Sequence, residues 1–278
     1  MVIAAERWQV LLACAKLAAL IASGKQMTDT ILYERSGHVG RLVLNNASKH
    51  NSLGREQLDG IQTRLAEIAA DKQVRVLVVT GAGDKTFCAG ASLQELSAGE
   101  IGDDAFQKMT GRLADMAIPT LCAVNGDVYG GGVELALSCD FRIGVEGCRM
   151  RVPAAAIGLC YPLPGIRRFI GSLGLNVAKR ILVASEQFES GSLLEIGFLD
   201  QLVAAENLEQ VVTQRAQHIG ALAPLAVQSM KSLLQEAAEV QIDPERARQL
   251  SELCLESEDL REGFAAKREK RSPRFQGK

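Results

Sequence analysis

Apolar and other positions alternate with a period of two along Val39-Gly-Arg-Leu-Val-Leu-Asn45, which predicts the first strand of the chain. The period then changes. Leu58, Ile61, Leu65 and Ile68 step by three, four and three, which predicts a helix packed by one face, and residues 74–80 form a β-branched run that predicts a second strand. Strand, helix and strand in that order make a βαβ unit, so the sheet is expected to be partly parallel and covered by helices. Residues 103–116 read as a helix ending before Pro119, residues 120–125 as a short buried strand, and residues 140–145 and 148–152 as two strands joined at Glu146-Gly147. Helices are expected over 167–173 and 177–184, followed by residues 190–197 leading into 198–203. The tail reads as three helices: one marked by Leu208, Val211, Val212, Arg215 and Ile219, one over 226–238 after Pro224, and one over 245–271. No period of 20–50 residues recurs, so a repeat architecture is not expected. Periodicity by itself supports an α/β class.

Composition narrows the function classes. The 278 residues are 47% hydrophobic and 23% charged, enough for one sizeable core and an accessory region. A formal charge of −2, with no long basic run before the last dozen residues, argues against a nucleic-acid surface. No stretch is apolar and long enough to imply a membrane span. Seven cysteines at 14, 88, 122, 139, 148, 160 and 254 have neither metal-ligand spacing nor a CxxC pair, so a metal site and a disulfide framework are not expected and a reducing, cytoplasmic setting is. Only three histidines exist, His38, His50 and His218, and none lies in the glycine motifs, which disfavours a Ser-His-Asp or Cys-His site. His38 and His218 read as surface or helix-face residues, and Cys88 as a buried structural thiol.

Two stretches carry candidate chemistry. In Asn125-Gly-Asp-Val-Tyr-Gly130-Gly131-Gly132-Val-Glu134, three glycines run into a carboxylate and an apolar helix pattern. Bare N–H groups at a helix start, with roughly half a positive charge behind them, can stabilise a developing oxyanion beside a base. The same stretch also fits a glycine-rich turn feeding a buried helix, with Glu134 merely compensating the dipole. The second stretch, Val76-Leu-Val-Val-Thr-Gly81-Ala-Gly83-Asp-Lys-Thr-Phe87-Cys-Ala89-Gly90-Ala91-Ser92-Leu93, ends a β-branched run in another loop with glycines. Gly81-Ala-Gly83 lacks the third glycine and acidic partner of a dinucleotide fingerprint.

Together with the lead-in from Ile118 to Gly126, with Phe198-Leu-Asp-Gln-Leu-Val203 and with the ending from Asp259 to Gly277, these stretches resemble the crotonase (enoyl-CoA hydratase/isomerase) superfamily. The resemblance implies a crotonase-like (ClpP/crotonase) fold of repeated ββα units forming two roughly perpendicular sheets, residues 27–203, and a C-terminal helical region, residues 204–278. Residues 1–26 lie outside the family pattern and are expected to be an N-terminal extension, fitting neither a secretory signal nor a mitochondrial presequence. By the resemblance, the N–H groups of Ala91 and Gly131 hold the oxygen of a CoA thioester as it becomes an enolate, and Glu134 is the acid/base. Ala89, Gly90, Ser92, Leu93, Gly130 and Gly132 then border the substrate, Lys49 or Lys267 meets a CoA phosphate, and Leu93, Leu96 and Met109 line an acyl pocket or the core. Family hydratases carry a second glutamate immediately after the equivalent of Pro153, where this chain has Ala154. Tyr161, Cys160 or Asp127 is left to assist. The activity expected is hydration of a 2-enoyl-CoA, with another enolate reaction or a non-catalytic acyl-CoA binder as alternatives. Coenzyme A enters as part of the substrate, with no separate cofactor, and the resemblance implies a homotrimer or hexamer.

Overall fold

The computed structural model describes residues 30–102, 104–238 and 244–278. Two units are distinguished, Met1–Thr30 and Ile31–Lys278, and the fold below is that of the second. The expected N-terminal extension, residues 1–26, lies outside the described residues.

In chain order the elements are β1 (Ile31–Ser36), β2 (Val39–Leu44), α1 (Arg55–Ala70), β3 (Val76–Gly81), β4 (Thr86–Cys88), α2 (Leu93–Ser97), α3 (Ala105–Ala114), β5 (Thr120–Val124), β6 (Asp127–Tyr129) and α4 (Gly131–Leu137). They continue as β7 (Phe141–Val145), β8 (Arg149–Arg151), α5 (Leu163–Leu182), β9 (Phe188–Glu189), α6 (Ser190–Glu195), β10 (Gln201–Val203), α7 (Leu208–Gly220), α8 (Pro224–Ala238), α9 (Pro244–Glu256) and α10 (Glu258–Glu269). One sheet has six strands in the order β1-β2-β3-β5-β7-β10, and a second has four in the order β4-β6-β8-β9. Successive pairs β3/β4, β5/β6 and β7/β8 each send one strand to either sheet, and a helix follows every pair. This is the ββα repeat that the resemblance implies.

The three-four-three stepping of the helix over 55–70 is explained by burial, since Leu58, Ile61, Leu65 and Ile68 all face the core. β2, β3, β5 and β7 pair in parallel, and β3 and β5 are buried along their whole length, as expected for strands covered by helices on both faces. α7 is part of that cover, with Val212 and Ala216 fully buried in the main core.

Two sequence readings are corrected. Val39–Leu44 is the second strand. It is preceded by β1, an antiparallel edge strand whose single buried residue, Ile31, leaves almost no apolar alternation to read. The long final helix is two helices. Ser257 breaks it, donating its hydroxyl to Cys254 O at 2.8 Å and accepting the Leu260 N–H at 3.1 Å, so one side chain closes α9 and caps α10. The two helices expected over 167–173 and 177–184 are present as the two halves of α5, divided by a kink at Gly174, whose φ of +77° and ψ of 161° are not helical.

Candidate active site

β4 and β6 are parallel neighbours, so residues 89–92 and 130–132 leave the second sheet at the same end. Three-residue strands are too short to show periodicity. The strand read from sequence over residues 120–125 stops short of the glycine turn, and β6 delivers it. The two turns touch. Gly90 has φ +86°, and a Cβ there would lie 2.4 Å from the Gly131 nitrogen, while a Cβ on Gly132 would lie 2.3 Å from the Cys88 carbonyl oxygen. Only glycine permits this approach.

The orientation of the two amides follows from their neighbours. Ala91 forms a parallel bridge with Leu53, whose N–H donates to Gly90 O at 2.8 Å and whose carbonyl accepts from Ser92 N–H at 2.9 Å. In a parallel bridge the residue between those two bonds turns its own N–H to the opposite side. Gly131 is the first residue of α4, where an N–H has no acceptor within the helix. Two such donors on touching turns form a cradle for one oxyanion if both reach it at about 3 Å.

Glu134 lies in the first turn of α4 and is fully buried. Its Oε1 accepts from Arg168 Nη1 at 2.8 Å and from Thr110 Oγ1 at 3.0 Å, and the same Arg168 nitrogen is 3.2 Å from Thr110 Oγ1. Oε2 is buried with no hydrogen-bond partner. Burial pushes the Glu134 carboxyl above its ordinary value, against the opposing pull of the Arg168 charge and of the Thr110 and Tyr161 hydroxyls. Tyr161 shares a wall with the free oxygen: a Cβ on Gly165 would lie 2.7 Å from the Tyr161 ring and 3.0 Å from Oε2. The ring packs edge-on against Phe169 with centroids 5.5 Å apart. Its phenol is raised well above the ordinary range, first by burial and then by the Glu134 charge.

The other residues anticipated from sequence fall into two groups. Ser92 and Lys49 border one polar cleft of about 450 Å³ with Asn46, Ser52, Arg55 and Glu95, which starts one residue beyond Ala91. Within it the Ser92 hydroxyl accepts the Glu95 N–H and so caps α2. Leu93 and Leu96 on α2 are exposed, whereas Met109 is fully buried in the core. Ala89 and Gly130 are tied by their amides to His50 O and Arg151 O. Ala154 is buried, 6% exposed, at the start of a turn over 155–157, where it presents a methyl group to the core. Cys160 is exposed. Both Asp127 oxygens are engaged by Arg149, with the Tyr129 hydroxyl donating to one of them, so this carboxylate has its own partners. Cys88 is buried, donates its thiol to Asn51 O at 3.3 Å, and is pushed up to about 12 by burial, which fits the structural thiol read from sequence. The side chain of Lys267 lies outside the described residues.

The sequence reading missed Thr110 and Arg168. A signal existed for both. Phe106, Met109 and Leu113 form the buried stripe of α3, and Thr110 lies on it; Gly165, Phe169 and Leu173 form that of α5, and Arg168 is one residue from its centre. A polar residue on an apolar stripe needs a buried partner, and here both have the same one.

A sequence model of the enoyl-CoA hydratase/isomerase family matches residues 34–278. The crotonyl-CoA hydratase of Syntrophomonas wolfei is 31% identical over 256 residues, covering 89% of this chain and 98% of that protein. The 2,3-dehydroadipyl-CoA hydratase of Escherichia coli is 29% identical over 253 residues, covering 89% and 99%. Among solved structures, an enoyl-CoA hydratase from Bacillus anthracis superposes with a TM-score of 0.82 at 27% identity, covering 90% of this chain and 100% of that one. DspI of Pseudomonas aeruginosa gives 0.81 at 30% identity, covering 92% and 100%. With the family pattern matched over most of its length and its fold shared with solved members, the chain belongs to the enoyl-CoA hydratase/isomerase (crotonase) family.

Proposed function

We propose that this protein adds water across the double bond of a 2-enoyl-CoA thioester, using Glu134 as the single acid/base and the Ala91 and Gly131 amides as the oxyanion cradle. The observation that carries the reading is the buried, unpartnered Oε2 of Glu134 on the same short helix that Gly131 begins. A water proton passes to Oε2 as the water oxygen bonds to C3, and the π electrons move through C2 onto the thioester oxygen, where the two N–H groups stabilise the enolate. Glu134 then returns the proton to C2 and the enolate collapses, for a net gain of one water. Ala154 cannot move a proton, so both transfers fall to Glu134, with the Tyr161 phenol as the nearby hydroxyl able to hold the water. Relatives whose names say that they hydrate crotonyl-CoA and 2,3-dehydroadipyl-CoA support the reaction class.

The polar cleft at Lys49 and Ser92 is the place we assign to the CoA moiety, with Lys49 as a phosphate contact. Exposed Met230 and Leu234 on α8, Leu253 and Leu255 on α9 and Phe264 on α10 favour assembly of several copies. The absence of a second carboxylate at Ala154 also favours an alternative, an enolate reaction such as decarboxylation or thioester hydrolysis for which one base suffices. The test is to incubate the purified protein with crotonyl-CoA and with longer and aromatic enoyl-CoAs, following the conjugated-thioester absorbance and the product mass. Loss of absorbance with an intact CoA ester heavier by one water supports hydration; release of free CoA with the unsaturated acid, or loss of CO2 from an added carboxyacyl-CoA, supports the alternative.

A further inference from the structure

Glu134 meets the rest of the site through two unlike oxygens. Oε1 is saturated by Arg168 and Thr110, which come from α5 and α3, two helices that pack together and are joined by their own contact at 3.2 Å. Oε2 makes no direct hydrogen bond of good geometry to the protein and faces the wall made by Tyr161 and Gly165, from which the Tyr161 hydroxyl acts on the carboxyl. A carboxylate held by one oxygen on two donors cannot exchange its oxygens without breaking both bonds. The ion pair itself is sheltered, with 14% of the Arg168 side chain and none of the Glu134 side chain exposed.

We propose that Arg168 and Thr110 are positioning residues that pin Oε1 of Glu134, so that Oε2 alone exchanges protons with the substrate and its water. This deepens the reading of Glu134 as the base and rests on it. Burial favours the neutral acid, which cannot accept a proton, and the Arg168 charge pulls in the opposite direction, toward the ionised form. The groups facing the carboxylate are Thr110 from α3, Arg168 from α5 and Tyr161 from the segment before α5. Cys88, at the end of β4, acts more weakly through Tyr161. Arg168 is therefore the one cation in that set, and nothing else there replaces it.

The test compares the wild-type chain with Arg168→Gln, Arg168→Lys and Thr110→Val. The titration of Glu134 is read directly from the 13C resonance or infrared band of labelled glutamate carboxyls, assigned by its loss in Glu134→Gln. Arg168→Gln is expected to raise the Glu134 titration by about 1–3 units, and Arg168→Lys to recover most of the shift. In turnover, the acidic limb of kcat/KM should move up with the titration, while Thr110→Val lowers kcat more than it changes KM. A titration of Glu134 in folded Arg168→Gln that coincides with wild type overturns the proposal. So does a Thr110→Val chain whose kcat and pH profile are unchanged. If Arg168→Gln does not fold, Thr110→Val still decides it, because a purely structural contact would move stability without lowering kcat or moving the Glu134 titration. Should the wild-type chain fail to hydrate any enoyl-CoA, the hydratase reading falls, whereas the carboxyl titration still judges the clamp.

Discussion

Substituting Gly90→Ala tests the contact on which the proposed oxyanion cradle depends. The new Cβ would lie 2.4 Å from the Gly131 nitrogen and 3.0 Å from the Tyr129 carbonyl oxygen. These neighbours are backbone, so no side chain can swing aside, and the two turns must part by about 0.6 Å to reach even 3.0 Å. The left-handed φ of +86° adds about 1–2 kcal/mol of strain for a residue with a Cβ. Gly147→Ala controls for that second cost, because Gly147 has φ +81° and nothing within 4 Å of its Cβ position. Losing the alignment of one oxyanion donor costs about 10²–10³ in kcat. Turnover of crotonyl-CoA, with the urea midpoint measured on the same samples, should show Gly147→Ala destabilised by the strain alone with wild-type turnover, and Gly90→Ala destabilised further and slowed by two orders of magnitude or more. A Gly90→Ala enzyme that is folded and within threefold of wild-type kcat would refute the reasoning that the Gly90–Gly131 contact sets the cradle.

Other expected outcomes are as follows. Glu134 has a folded-state value raised by burial, so its contribution to stability is present below the ordinary glutamate value and lost as pH rises through the folded one. Glu134→Gln should therefore flatten the urea midpoint against pH across that window, and an unchanged slope would count against a buried, raised carboxyl. Lys231 docks α8 on the core by donating to Asp140 Oδ2 at 2.7 Å and to Ile118 O at 3.0 Å; Lys231→Met should cost about 1.5–3 kcal/mol in urea unfolding, and a change below 0.5 kcal/mol, the usual range for a bland surface substitution, would deny it that role. Alkylation of the native protein, mapped by peptide mass, should modify exposed Cys160 and spare buried Cys88, Cys122, Cys139 and Cys148. Burial holds Cys88 at about 12 and Cys148 at about 11, and labelling of either before unfolding would contradict their environment.

Long elements were legible because their packing repeats. α1 shows its buried face over about three turns, and β3 reads as a strand because every position is apolar or β-branched and buried. β1 was not legible, since an edge strand with one buried residue has nothing to repeat, and neither were the three-residue strands β4 and β6. The glycines and Glu134 stood out as local sequence. Arg168 and Thr110 did not, because their meaning lies in a contact between positions 34 and 24 residues away from Glu134 along the chain. The Ser257 break was hidden for a different reason: a charged, helix-favouring run continues on both sides, and only the hydroxyl's two hydrogen bonds divide it.

The central claim is that the Ala91 and Gly131 amides polarise the thioester carbonyl of a substrate held beside Glu134. Infrared difference spectroscopy of crotonyl-CoA labelled with 13C at the carbonyl, bound to the Glu134→Gln variant so that turnover does not intervene, measures that polarisation at the bond concerned. The account predicts a carbonyl stretch at lower frequency than for the free ester in water, and a return toward the free value when Gly90→Ala is added. A bound ester whose carbonyl frequency equals that of the free ester would contradict it.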